Sequence, residues 1–196
     1  SWLFDIDLYD SDLAYTTFKN SFISSSDLSS SPDGTVVTMS SADFSGSYFV
    51  DSKLNDRKER SGSGVSFEFA TIAGESELIG ADLSQGNLQG VNITKDVKFF
   101  DDLNENSADL YGVNLTNAEV SADLTGIRMS GSICNYAHFD EAILDDVNLS
   151  GSQMNNATLE GVSAENTDFT EVHGTYLLFT STFRNTTSLI GADFED

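Results

Sequence analysis

From Ala122 to Phe169 the chain reads ADLTG IRMSG SICNY AHFDE AILDD VNLSG SQMNN ATLEG VSAEN TDF. A large apolar residue or Cys returns at almost every fifth position: Leu124, Met129, Cys134, Phe139, Leu144, Leu149, Met154, Leu159 and Phe169. The beat runs on through Phe179, Leu189 and Phe194, and only Ala164, Gly174 and Arg184 depart from it. Two residues before each slot the side chain is usually small, as at Ala122, Ser132, Ala137, Ala142, Val147, Ser152, Ala157 and Val162. A period of five fits neither an α-helix, at 3.6, nor a flat strand, at 2.0. It implies a chain that turns a corner every five residues, and therefore a solenoid.

The first half carries the same beat with interruptions. Leu8, Leu13, Phe18, Ile23 and Leu28 form one run; Met39, Phe44, Phe49 and Leu54 form another. Phe67 and Ile72 lead, after a slip of one residue, into Leu78, Leu83, Leu88 and Ile93. Leu110, Leu115 and Val120 then join the regular run. Loops are expected near 29–36, which holds the single Pro, near 55–64 (NDRKERSGSG) and near 94–102. The expectation is one solenoid domain over 1–196. Near its end, an inward Arg184 would be an unpaired buried charge. A slip that turns Phe183 inward and Arg184 outward is expected, with a small bulge at Gly174.

Composition narrows the class. With 32 acidic and 9 basic residues the net charge is −23, which repels nucleic acid and anionic lipid and attracts basic proteins and cations. No run of 18 apolar residues occurs, so no membrane-spanning helix is expected. A single Cys excludes an internal disulfide, and Cys134 falls on the inward beat as a small hydrophobe. A solenoid end is an open edge, so the ends are expected to be capped by a partner or by sequence beyond this chain.

Catalytic chemistry finds no footing. His138 and His173 fall on outward positions without a local nucleophile partner. There is no glycine-rich phosphate loop, no Cys/His metal spacing and no cofactor motif. Asp5-Ile6-Asp7 and Asp10-Ser11-Asp12 lack the length and Gly placement of a calcium loop. Carboxylate pairs are plentiful, but acid–base work needs one member buried, and these are expected in solvent. Catalytic, metal and cofactor residues are therefore none.

The units Ala81-Asp82-Leu83, Ala108-Asp109-Leu110, Val113-Asn114-Leu115, Ala122-Asp123-Leu124, Val147-Asn148-Leu149 and Ala192-Asp193-Phe194 resemble the pentapeptide repeat family, whose pattern is A(D/N)LxX. The resemblance implies an all-β fold, a right-handed quadrilateral β-helix with four pentapeptides per coil. Counting inward slots predicts about eight coils and a rod of roughly 40 Å at the usual ~4.8 Å spacing. Residues twenty apart should then stack, placing Asp140 over Glu160 and Asp145 over Glu165.

Acidity and the absence of catalytic groups point to a non-enzymatic scaffold or interaction module that docks onto a protein assembly. The resemblance makes a photosynthetic or membrane-associated complex one concrete version, in the thylakoid lumen or a bacterial cytoplasm. The alternative it implies is a DNA mimic that binds gyrase or another type II topoisomerase. Neither version binds nucleic acid directly. Candidate protein-binding residues are Asp140, Asp145, Asp146, Glu160 and Glu165 on the rod, with Arg57, Lys58 and Arg60 on the second loop.

Overall fold

The computed structural model describes residues 1–8, 11–28, 42–50, 52, 66–79, 81, 83–100, 107–180 and 193. The expected loops at 29–36 and 55–64, and Phe183 with Arg184, lie outside these residues.

A repeat of five arises from a short extended stretch followed by a tight turn. At a regular corner the carbonyl of the slot residue accepts from the N–H three residues on: Ile127 to Leu124 at 3.0 Å, Ala142 to Phe139 at 3.0 Å, Ala157 to Met154 at 3.2 Å. The residue two past the slot is left-handed, as at Asn117 (φ 58°), Tyr136 (60°), Glu141 (63°) and Asp146 (58°). That is the signature of a type II turn, which demands positive φ at its third residue. Such a corner needs Gly, or a side chain that tolerates roughly 1–2 kcal/mol of local strain.

Four corners close one coil. On face 1 lie β1 (Trp2–Phe4), β2 (Phe22–Ser24), β3 (Tyr48–Val50), β4 (Thr71–Ala73), β5 (Asn92–Ile93), β6 (Glu119–Val120), β7 (Thr158–Glu160) and β8 (Leu178–Thr180). All pair in parallel, β1 through β6 in one sheet and β7 with β8 in another. His138 bridges Glu119 to Thr158 and joins the two. The column Trp2, Phe22, Tyr48, Thr71, Asn92, Glu119, His138, Thr158, Leu178 is therefore continuous, and its eight steps of ~4.8 Å span about 38 Å. Bridges such as Asp123 to Ile143 build face 2, Asp109 to Arg128 face 3, and Asn87 to Asn114 face 4.

Successive steps on face 1 are 20, 26, 23, 21, 27, 19, 20 and 20 residues long. The surplus of the three longest lies between described residues at the same point of the coil. It enters after the buried face 2 residues Leu28, Ser52 and Phe99, and ends before Ala42, Phe67 and Ala108. Of the expected loop at 94–102, residues 94–100 are described. Thr94 to Phe100 stays in the coil, with Lys98 bridged to Glu77 and Val97 and Phe99 buried. Phe100 then pairs antiparallel with Ser107, which pinches the base of that insertion. The expected bulge at Gly174 is absent, because Leu178 keeps the 20-residue register to Thr158 and the Leu177 side chain packs over the glycine.

Slot residues and the small residues before them form one core along the axis, with Phe44, Phe49, Phe67, Phe139, Phe169, Leu144 and Leu149 all buried. Phe18, Phe44 and Phe67 stack ring on ring at 5.0 and 5.2 Å. The small inward column is partly polar and self-satisfied. Ser52 Oγ accepts from the Ser26 N–H and Ser76 Oγ from the Ser52 N–H, at 3.3 and 3.2 Å. Further along, the hydroxyls of Ser132, Ser152 and Thr167 donate to the carbonyls of Leu110, Met129 and Leu144. These bonds remove the penalty of burying a hydroxyl.

Candidate interaction faces

The outward positions decide what each face can bind. At the residue before the slot, Asp or Asn bends back to accept from the N–H two residues on: Asp43 from Ser45, Asp109 from Tyr111, Asn114 from Thr116, Asp123 from Thr125, Asn148 from Ser150 and Asp168 from Thr170. Where that residue is not Asp or Asn, the preceding coil supplies the acceptor. Asn135 serves the Asn155 N–H, Asp140 the Glu160 N–H, Asp145 the Glu165 N–H and Asn155 the Thr175 N–H, at 2.7–3.0 Å. The D/N of the repeat is a backbone-capping group before it is a surface charge.

Residues 122–161 match the family model for pentapeptide repeats in eight copies. That stretch of the chain is a run of pentapeptide repeats. No curated protein matches it. Among solved structures it is similar to a trypsin-treated form of QnrB1, a plasmid-mediated fluoroquinolone resistance protein, at 16% identity over 100% of this chain and 93% of that one, with a TM-score of 0.44. It is also similar to HetL, a pentapeptide repeat protein involved in heterocyst differentiation regulation in the cyanobacterium Nostoc, at 21% identity over 98% and 84%, TM-score 0.41. A third is a pentapeptide repeat protein of the Arabidopsis thaliana thylakoid lumen, at 26% identity over 56% and 65%, TM-score 0.25.

On this rod the acidic residues expected to stack lie one coil apart. Glu160 follows Asp140 on face 1, and Glu165 follows Asp145 on face 2, with Asp146 at the next corner. Asp145 also takes the Ser163 hydroxyl at 2.7 Å. Arg57, Lys58 and Arg60 lie outside the described residues. The five carboxylates therefore occupy two adjoining faces, and two of them are fixed by backbone bonds.

The carboxylates wrap the rod rather than forming one stripe. Between 87 and 176 the described ones are Glu119, Asp140, Glu141 and Glu160 on face 1, and Asp123, Asp145, Asp146 and Glu165 on face 2. Asp109, Asp168 and Glu171 lie on face 3, and Asp96 at a corner. Face 4 has none over this length.

Sequence reasoning missed an aromatic ladder at the start of face 1. Trp2, Phe22 and Tyr48 occupy successive rungs, with ring centroids 5.3 and 6.3 Å apart, and Phe4 packs beside them at 5.5 Å from Phe22. Trp2 is 74% exposed, Phe4 55% and Tyr48 52%. The signal was available: WLF, FIS and YFV set a ring one residue before the slot, which is an outward position.

His138 meets the Thr158 hydroxyl through Nδ1 at 2.8 Å and Asp140 through the same nitrogen at 3.8 Å. A relay needs nucleophile and carboxylate on opposite ring nitrogens. The Cys134 thiol is fully buried, and burial pushes its pKa up to about 12, away from the reactive thiolate. Among the described residues no three His, Cys, Asp or Glu side chains gather as a metal site. No helix among them is long and apolar enough to cross a membrane.

Proposed function

We propose that this chain is a non-enzymatic, acidic β-helical interaction module that docks onto a protein assembly. The aromatic ladder Trp2–Phe22–Tyr48 with Phe4 carries the reading. A contiguous set of exposed rings on a polyanionic rod costs solubility without stabilising the core, and Trp and Tyr are the side chains that anchor protein interfaces. Asp5, Asp7 and Asp27 stand nearby, so the complementary surface is apolar with a basic rim. The acidic pairs Asp140/Glu160 and Asp145/Glu165, with Asp146, offer a second contact for a basic partner. The loop bearing Arg57, Lys58 and Arg60 offers a third.

A photosynthetic or membrane-associated complex is the version we favour for the assembly. The DNA-mimic alternative needs its carboxylates on one side, whereas here three faces share them. Cross-linking and capture from the native source, with wild-type protein beside Trp2→Ala/Tyr48→Ala, tests the reading. The expected result is a specific protein partner whose capture falls about tenfold in the variant, near 1.4 kcal/mol. Equal capture by both proteins would remove the ladder from the interface. Inhibition of gyrase supercoiling at micromolar protein would favour the mimic instead.

A further inference from the structure

Between Asn87 and His173 face 4 is built differently from the other three, although its column continues through Asp43 on one side and Asp193 on the other. Its rungs from Asn87 to His173 are Asn87, Asn114, Ile133, Gln153 and His173, bridged in one column. Beside them run Gln89, Thr116, Asn135, Asn155 and Thr175, and the next corner holds Gly90, Asn117, Tyr136, Asn156 and Tyr176. None of these positions is Asp, Glu, Lys or Arg, in a chain with a net charge of −23. Four of its amide oxygens are already used. Asn87 Oδ1 accepts from Asn114 Nδ2, Asn114 Oδ1 from the Thr116 N–H and hydroxyl, Asn135 Oδ1 from the Asn155 N–H and Nδ2, and Asn155 Oδ1 from the Thr175 N–H and hydroxyl. The face therefore offers the remaining N–H groups of these four, Asn114 and Asn155 having each spent one, beside the amides of Gln89, Asn117, Gln153 and Asn156. Tyr136 and Tyr176, 53% and 69% exposed, stand two coils apart along its corner, about 10 Å.

Charge and area narrow the ligand. A polycation would go to the carboxylates of faces 1 to 3, and a polyanion would be repelled by them. The neutral strip is about 19 Å long, four coil steps, and about 10 Å wide, three extended residues. That is roughly 200 Å², a quarter of the ~800 Å² per partner that a stable protein interface buries. A second copy or a protein partner would spill onto the charged faces, whereas a single polymer strand would not. Amides beside exposed aromatic rings suit a polymer that carries hydroxyl groups and an apolar C–H face. We propose that face 4 between Asn87 and Tyr176 binds one strand of a neutral polysaccharide laid along the coil axis, with Tyr136 and Tyr176 stacking on its sugar rings.

The test is calorimetric titration of the full chain with cellohexaose, laminarihexaose and chitohexaose, at low and at molar salt. At least one binds, and its affinity does not fall with salt, because no ion pair is involved. Tyr136→Asn/Tyr176→Asn, which keeps a residue tolerant of left-handed φ, weakens binding about tenfold while the thermal midpoint is unchanged. Glu119→Gln, on face 1, binds as wild type. No binding of any of the three at millimolar concentration overturns the proposal, as does loss of binding in molar salt or equal affinity in the tyrosine variant. A dimer in sedimentation that the tyrosine variant abolishes would assign the face to a second copy.

Discussion

The Oδ1 atom of Asp145 lies 2.7 Å from the backbone nitrogen of Glu165, one coil further along the rod. A carboxylate on the acidic surface thereby closes the hydrogen bonding of a turn twenty residues away. The same atom holds the Ser163 hydroxyl.

Removing that acceptor leaves two donors without their partner. Asp145→Ala should lower stability by about 1–2 kcal/mol in denaturant titration. Asp145→Asn keeps the oxygen and should cost well under half of that. Equal losses would mean that the charge, and not the acceptor, carries the effect.

Gly90 and Gly126 separate backbone strain from contact. Both are left-handed, at φ +64° and +70°. A Cβ on Gly90 would fall 2.4 Å from the Phe69 ring, whereas one on Gly126 meets nothing. Gly126→Ala should cost about 1–2 kcal/mol, the backbone term alone. Gly90→Ala should cost more, and a double-mutant cycle with Phe69→Ala should recover the difference.

Thr94 Oγ1 is a buried polar atom without a partner among the described residues. An unmet buried hydroxyl costs about 1–3 kcal/mol. Thr94→Val keeps the shape and removes the hydroxyl, so its thermal midpoint should rise. A lower midpoint would show that a bound water satisfies the hydroxyl.

Lys19 Nζ lies 2.9 Å from Asp43 Oδ2. Burial by itself would raise the Asp43 pKa, but the hydrogen bonds from Lys19 and Ser45 outweigh it and hold the carboxyl below its ordinary 3.8. A depressed folded pKa means stability that is present above the unfolded value and is lost as pH falls through the folded one. Wild-type stability should therefore drop below about pH 4 more steeply than that of Lys19→Met, read by denaturation midpoints across acid pH. The exposure of the lysine keeps the difference small.

The regular half was legible because one large and one small inward residue per corner can be counted without coordinates. Leu124 to Phe169 stack where the period of five puts them, and Asp140 and Asp145 precede Glu160 and Glu165 by one coil. The stretch at 94–102 misled because TKDVKFFDD looks polar and irregular, yet Val97 and Phe99 still occupy inward positions. Gly174 suggested a bulge because its slot is empty, but Leu177 fills the space from the next corner. The aromatic ladder was hidden because Trp2, Phe22 and Tyr48 are separated by steps of 20 and 26 residues. Only the coil closure makes them neighbours.

Taken alone, the amino-acid order determined the solenoid, the inward set and the net charge, since each follows from local periodicity and composition. Which outward residues share a face depended on the lengths of the insertions, and these set how far one coil slides along the chain before it closes. The aromatic ladder, the carboxylates spread over three faces and the neutral strip on the fourth face are products of that closure. A five-residue pattern constrains a corner, whereas a surface is assembled from residues twenty or more apart.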